Sequence, residues 1–272
     1  MMRKLISLSV ALTALSSMAF ADVGQGIDKL NAGDVAGAAK DFANAYDAGD
    51  SDGAFYLGRL FELGLGTERD GMRAANLYSA AAEKGSVRAK VRLGLMYHEG
   101  TVLLRDYTEG TRLLCEAADA EDIGGQVNCG LALKSGIGVP ENPDLAVEYW
   151  NKAAANNDVA ALNLLGDHFL RGQTDVAKPD TAATFFKRAA DLGNALGMYE
   201  FARILANPVE GQQVDKVTAY TYASLAVVRG YQSAGALRDA LELDMTPEEI
   251  EAGQVGAKDW TQAQISKTDA GQ

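Results

Sequence analysis

Cysteine, histidine and positive charge are scarce in this 272-residue chain, and each scarcity removes a class of function. Two cysteines cannot staple a small disulfide-dense scaffold. The two histidines, His98 and His168, have no second histidine at metal-ligand spacing. Each is expected to be a lone surface side chain, and no metal site or cofactor is expected. Lys and Arg number 25 against 37 Asp and Glu, a balance that argues against nucleic acid or anionic lipid as partner. Beyond the N-terminus no apolar run reaches the ~18 residues that a membrane span needs. Asp50-Ser51-Asp52-Gly53 opens like a calcium loop but lacks the later ligands and the closing Glu, so it reads as a turn. Gly64-Leu65-Gly66 lacks the strand and further glycine of a nucleotide loop, and reads as a helix stop.

The N-terminus has the form of an export signal. Met1-Met2-Arg3-Lys4 is positive, Leu5 to Leu15 is apolar, and Ala19-Phe20-Ala21 is a small-x-small cleavage pattern. Residues 1–21 are therefore expected to be a signal peptide cleaved after Ala21, with a retained membrane anchor as the alternative. No cysteine follows the apolar stretch, so a lipoprotein anchor is not expected. The mature chain is expected to be exported, soluble and free of any membrane span. It would also be more acidic, since Arg3 and Lys4 leave with the signal and no acid does.

Self-comparison reveals a repeat. Gly58, Gly94, Gly130 and Gly166 recur every 36 residues. Leu57, Leu93, Cys129 and Leu165 precede them, and Phe61, Tyr97, Leu133 and Phe169 follow three places on. Six places on come Gly64, Gly100, Gly136 and Gly172; twenty on come Tyr78, Leu114, Trp150 and Phe186. An alanine pair closes each unit, as in Ala81-Ala82 and Ala153-Ala154. Apolar spacings of three and four mark one helix face, glycines stop that helix, and Asn142-Pro143-Asp144 and Lys178-Pro179-Asp180 start a second. Each unit is thus a helical hairpin.

The units resemble the Sel-1-like repeat family, a relative of the tetratricopeptide repeat. The pattern is clearest in GAFYLGRLFELGLGTERDGMRAANLYSAAAEKG and in QVNCGLALKSGIGVPENPDLAVEYWNKAAANND. The resemblance implies an all-α fold, a right-handed α/α superhelical solenoid of about five helical-hairpin repeats with a C-terminal capping helix. Residues 22–51 read as a degenerate N-terminal repeat, with Asp34, Ala38, Phe42, Ala45 and Gly49 at second-helix positions. Repeats are expected over 52–230. The fifth starts near Ala195, carries about three extra residues around Asn207 to Gly211, and keeps Ala219, Ala223 and Ala226 in shifted register. Capping helices are expected over 231–262, the last opened by the capping box Thr246-Pro247-Glu248-Glu249, and a disordered tail over 263–272.

Cys115 and Cys129 lie equally far from Asp122, at the centre of an inter-unit loop. Antiparallel neighbours so placed can face each other, which favours a disulfide in an oxidising compartment. Two small buried thiols are the other reading, because Cys129 replaces a core Leu. Cysteine-rich Sel-1-like proteins are similar in bridging this loop, about one turn nearer to it, so they support the bond by analogy only.

On each first helix the arc opposite the core holds positions three and two before the reference glycine, and one, four and five after it. These are Phe55, Tyr56, Arg59 and Glu62; Val91, Arg92, Leu95 and His98; Val127, Asn128, Leu131 and Lys134; Asn163, Leu164, Asp167 and Arg171. In tetratricopeptide relatives the corresponding arc lines a concave peptide groove. Arg59, Arg92, Lys134 and Arg171 give one cation per unit, Asn128 and Asn163 suit an extended backbone, and Phe55 and Tyr56 suit an anchoring side chain. For any one of these residues, simple solvation of an exposed face is the plainer reading. The binding candidates are therefore Tyr56, Arg59, Arg92, His98, Asn128, Lys134, Asn163, Asp167 and Arg171.

The resemblance implies a periplasmic scaffold or regulator, an adaptor in envelope signalling or assembly that is not an enzyme. Its partner would be a protein or peptide, such as a membrane sensor or another envelope protein. One alternative is an enzyme acting on peptidoglycan or β-lactams, as suggested for some cysteine-rich relatives. No Ser-x-x-Lys nucleophile occurs, and Lys134-Ser135-Gly136, similar to a Lys-Thr-Gly box, falls at the end of a repeat helix. A secreted factor acting on a host is the other alternative.

Overall fold

A computed structural model describes residues 23–172, 177–207 and 214–270. The expected signal segment lies outside the described residues, as does most of the insertion expected near Asn207. The described residues form fourteen α-helices and no strand. They are α1 (Val23–Asn31), α2 (Val35–Asp47), α3 (Ser51–Leu63), α4 (Gly71–Glu83), α5 (Val87–Glu99), α6 (Tyr107–Asp119) and α7 (Ile123–Ser135). Then follow α8 (Pro143–Ala155), α9 (Val159–Arg171), α10 (Pro179–Asp191), α11 (Ala195–Ala206), α12 (Lys216–Val228), α13 (Ser233–Glu242) and α14 (Pro247–Ala270). The chain is an all-α repeat solenoid, and among the described residues no helix is long and apolar enough to cross a membrane.

The register is written in the helix starts. Asp34, Asp70, Asp106 and Asn142 stand 36 residues apart, and each side chain accepts the backbone N–H three places on. First helices are capped on the same interval by Asp50, Asp122, Asp158 and Asn194, while Ser86 accepts from Ala89 N–H. Each cap satisfies a donor that the helix leaves unpaired and contributes ~1 kcal/mol. Lys178 makes no cap bond, and Pro179 at the first turn starts α10 instead.

Two compact units divide the chain, residues 1–93 and 94–272. In the first, Phe42, Ala38 and Ala45 of α2 are fully buried, and the Phe42 ring sits where a Cβ on Gly26 would be. Tyr78 does the same against Gly58, where an added Cβ would meet the ring at 2.6 Å. Ser86 Oγ donates to Asp52 Oδ1 at 2.6 Å, and Arg88 pairs with the same carboxylate.

In the second unit the large residue twenty places after each reference glycine again fills the space that glycine leaves. Leu114 lies against Gly94, Trp150 against Gly130 and Phe186 against Gly166. Trp150 is wholly buried, and its indole N–H donates to the Val127 carbonyl at 3.2 Å. Cys115 of α6 and Cys129 of α7 are joined in a disulfide, Cα to Cα 4.9 Å, so the bond and not the thiol pair is what the loop geometry produces. Closing a loop with sequence separation 14 contributes about 3 kcal/mol in the chain-entropy model.

The C-terminal end differs from expectation. Helix α14 opens with the capping box, Thr246 N–H to Glu249 Oε2 at 2.8 Å and Glu249 N–H to Thr246 Oγ1 at 3.2 Å. It does not stop at Gln262; of the tail expected to be disordered, residues 263–270 are helical, and the last two lie outside the described residues. No glycine or proline interrupts residues 257–270, and Gln264 Nε2 donates to the Asp191 carbonyl at 3.3 Å. Gly253 and Gly256 let α14 lie close on Tyr220 and Thr221 of α12.

Two inter-helix turns break the pattern. Gly49, Gly85, Gly193 and Gly230 occupy left-handed backbone between hairpins, but Glu121 does so at φ 63 and Asn157 at φ 59. For a residue with a Cβ this costs about 1–2 kcal/mol. Glu121→Gly should therefore raise stability by about 1 kcal/mol in urea unfolding; an unchanged or lowered midpoint would contradict a strained turn.

Candidate functional site

The first-helix face is polar, but its charges are tied to one another. In the first unit Glu62 is the hub. It is 7% exposed, and the reason lies in its neighbours. Arg59 Nη1 donates to Glu62 Oε2 at 2.7 Å from one turn back, and Tyr78 Oη donates to the same oxygen at 2.6 Å. Arg92 of α5 brings Nε to Oε1 at 2.7 Å, with a second contact from Nη2. One carboxylate thus ties α3 to α4 and α5. Burial alone would raise its pKa, but the hydrogen bonds from Arg92 and Tyr78 and the charges of both arginines bring it down to about 2. Burial, and then Glu62, pushes the Tyr78 phenol above its ordinary range. Beside the hub, Tyr56 stacks on Phe42 at 5.1 Å and meets Phe55 edge-on at 5.1 Å.

In the second unit the face begins at His98. The Thr111 hydroxyl donates to the Ile137 carbonyl at 2.8 Å, so its oxygen accepts from His98 Nε2 at 3.0 Å. This network assigns the proton to Nε2. Burial lowers the His98 pKa, against a hydrogen bond to the Tyr107 backbone. Asn128 donates to the Gly124 carbonyl of its own helix at 2.8 Å. Asn163 Nδ2 donates to Asn194 Oδ1 at 3.0 Å, and that oxygen also caps α11 through Gly197 N–H. Asp167 accepts from Arg171 and lies 3.7 Å from Lys134 Nζ, so two candidate cations share one carboxylate.

Sequence reasoning read Arg59, Arg92, Lys134 and Arg171 as one cation per unit, and the structure gives each a carboxylate partner on the same face. Glu62 and Val127, read onto the exposed arc, are buried. His168, expected at the surface, is 4% exposed. It stands two places after the reference glycine, where Leu60, Met96, Ala132 and Ile204 are also buried, so the core stripe is wider than the four positions used to define it. Burial, and then the charge of Lys134, lowers the His168 pKa.

Sequence reasoning missed the continuation onto α11. Glu200 and Arg203 pair at 2.6 Å, and the Tyr199 and Tyr231 rings meet at a tilt, centroids 4.8 Å apart. Their signal was available: they stand 36 residues after Leu164, Asp167 and Asn163. The strip Lys134, Asp167, Arg171, Glu200, Arg203 alternates in charge and ends beside two tyrosines, a surface suited to polar recognition with aromatic anchors. Among the described residues no three His, Cys, Asp or Glu side chains gather to hold a metal ion.

The profile of the Sel1 repeat family matches residues 51–86, 87–122, 124–158 and 159–194, more than half of the chain. A similar protein is the alginate biosynthesis protein AlgK of Azotobacter vinelandii, 29% identical over 116 residues, which are 43% of this chain and 25% of that protein. Among solved structures, a Sel1 repeat protein from Oxalobacter formigenes superposes with TM-score 0.73 at 22% identity, over 86% of this chain and 96% of that one. A protective antigen present in uropathogenic Escherichia coli strains, displaying an SLR fold, superposes with TM-score 0.69 at 25% identity, over 85% and 49%. The chain thus spans a quarter of the alginate protein and about half of the antigen.

The Glu62 hub carries a pH dependence. Its carboxyl titrates near 2 in the fold and near 4.5 when unfolded, so its stabilisation is present above pH 4.5 and is lost as pH falls toward 2. Urea unfolding should show a loss on the order of 3 kcal/mol across that window, and Glu62→Gln should flatten this part of the profile. Equal acid sensitivity in wild type and E62Q would contradict the hub.

Proposed function

The chain belongs to the Sel1 repeat family, and from that premise we propose that it is an exported scaffold that binds a protein or peptide along its first-helix face. The observation that carries this reading is the strip on α7, α9 and α11. Its side chains alternate in charge and remain partly exposed while lying outside the core, and Arg171 is 67% exposed at the strip's centre. Residues that only solvated a helix would not need to align from hairpin to hairpin. Ion pairs already formed on the face hold long side chains in place before a partner arrives, which lowers the ordering cost of binding. A partner of complementary alternating charge would exchange these exposed, weak pairs for its own.

The signal-like N-terminus supports export, the disulfide supports an oxidising compartment, and together they favour a periplasmic setting. One relative takes part in alginate biosynthesis and another is a protective antigen; this chain covers 25% and 49% of them. What this chain shares with the antigen is the SLR fold, and with the alginate protein a 116-residue stretch of sequence. The reading for this chain is therefore an adaptor in envelope assembly or signalling.

The test is affinity capture from envelope extract with wild type, a Lys134→Ala, Arg171→Ala, Arg203→Ala variant, and a Lys187→Ala control on the second-helix side. All three groove positions are partly exposed, so the triple variant should fold with an unchanged circular dichroism spectrum. A protein held by wild type and by the control but lost by the triple variant is the expected result. Retention of the same partners by all three proteins would place binding elsewhere.

A further inference from the structure

Two departures from the repeat register border one cavity in the second unit. Glu121 occupies the left-handed turn position that four other hairpins give to glycine and one gives to Asn157, and unlike asparagine it has no special tolerance for it. Gln126 stands four places before Gly130, where Ala54, Leu162 and Met198 are fully buried in their own repeats and only Lys90 is also polar, there partly exposed. It is itself 3% exposed, and its Oε1 has no hydrogen-bond partner. An unsatisfied buried amide costs about 1–3 kcal/mol, and strained turns cost a similar amount. Two unfavourable choices on one wall suggest that the wall has a task.

The cavity holds about 530 Å³, the scale of a small-ligand site. Its polar atoms include several acceptors beside the donors of Lys152 and the Gln126 amide. Asp119 uses Oδ1 to accept from the Tyr149 hydroxyl at 2.6 Å, and its other oxygen remains. Asn156 gives Nδ2 to the Lys152 carbonyl at 3.2 Å, which leaves its amide oxygen. Glu121 adds a second carboxylate. Lys152, the cation of this lining, is held by Glu148 at 2.8 Å from one turn back and also feels the charges of Asp119 and Glu121, so three carboxylates face one resident cation. Helices α6 and α8 end here, at Asp119 and Ala155, and α7 begins here, at Ile123, so the helix dipoles partly offset and the carboxylates set the sign of the site. Ala118, Ile123 and Ala155 supply an apolar wall. A ligand that donates hydrogen bonds, carries positive charge and brings a short hydrocarbon body suits the carboxylate excess and the apolar wall.

We propose that this cavity binds a small aliphatic amine, with its ammonium on Asp119, Glu121 and Gln126 and its alkyl chain against Ile123 and the alanines. With the Gln126 side chain turned toward the cavity, the ammonium supplies the donor that its Oε1 lacks. The site lies at the α6–α7 turn and does not depend on the protein-binding reading of the first-helix face.

The test is calorimetric titration of the full exported chain with putrescine, beside 1-butanol and magnesium chloride as probes of chain and of charge alone. Gln126→Leu places in the wall the residue that residue 162 has at the same register, and Asp119→Asn keeps the oxygen that Tyr149 uses. Both should remain folded by circular dichroism. The expected result is saturable binding of putrescine at one site, absent with 1-butanol, and weakened at least about tenfold in each variant. No saturable binding, equal binding of magnesium, or unchanged affinity in either variant would overturn the proposal.

Discussion

The structure depends on one packing constraint, a glycine facing a large side chain twenty residues later. Tyr78, Leu114, Trp150 and Phe186 each lie where a Cβ on the paired glycine would collide. Removing the Cβ lets the two helices of a hairpin approach, and the large side chain then fills the space at interior density. The pairing fixes the rotation of the second helix about its own axis. It also fixes the number of residues in the connection, since a one-residue change would turn the large side chain away. Glycine stops and capped starts are the local means of keeping that count.

The last hairpin shows the constraint from the other side. The N-cap Asp215 follows Lys178 by 37 residues instead of 36, so the second helix is displaced by one position. The residue brought to the place of the large side chain is Ala223, and the glycine's place is taken by Ala202. Both alanines are fully buried in one core cluster. Two small residues stand where the other hairpins set a large one against none, and Phe201 and Tyr222, edge-on at 4.9 Å in the same cluster, fill the space beside them. With the cores settled in this way, the outward arc of each first helix is left to charge and aromatic chemistry.

Much of this was legible in the sequence because it is periodic. Reference glycines, caps, the Asn142-Pro143 start and the fully buried Phe42 all follow from one interval. The cysteines were legible as a pair because both count outward from Asp122. What the interval could not show was who pairs with whom across repeats. Arg92 reaches Glu62 over thirty residues, and Arg59 reaches the same carboxylate from within its own helix, so a residue read as exposed became a buried hub. His168 was misread for a simpler reason: the stripe of four core positions was drawn too narrow, and histidine at the edge of a stripe looks like surface. The amine cavity was illegible because its signal is a departure from register, and a departure has meaning only once the neighbouring wall is known. Helix α14 ran past its expected end since polar composition says nothing about whether a helix has something to lie on.

The most direct test of the packing constraint is a double-mutant cycle between Gly130 and Trp150, read by urea unfolding. In the wild-type background, Gly130→Ala should cost several kcal/mol, because the new methyl meets the indole. In a Trp150→Leu background the same change should cost at least ~1 kcal/mol less, since the smaller side chain returns part of the space and alanine favours the helix. An equal cost in both backgrounds would mean that the glycine is needed for some other reason, and the account of the repeat would fail.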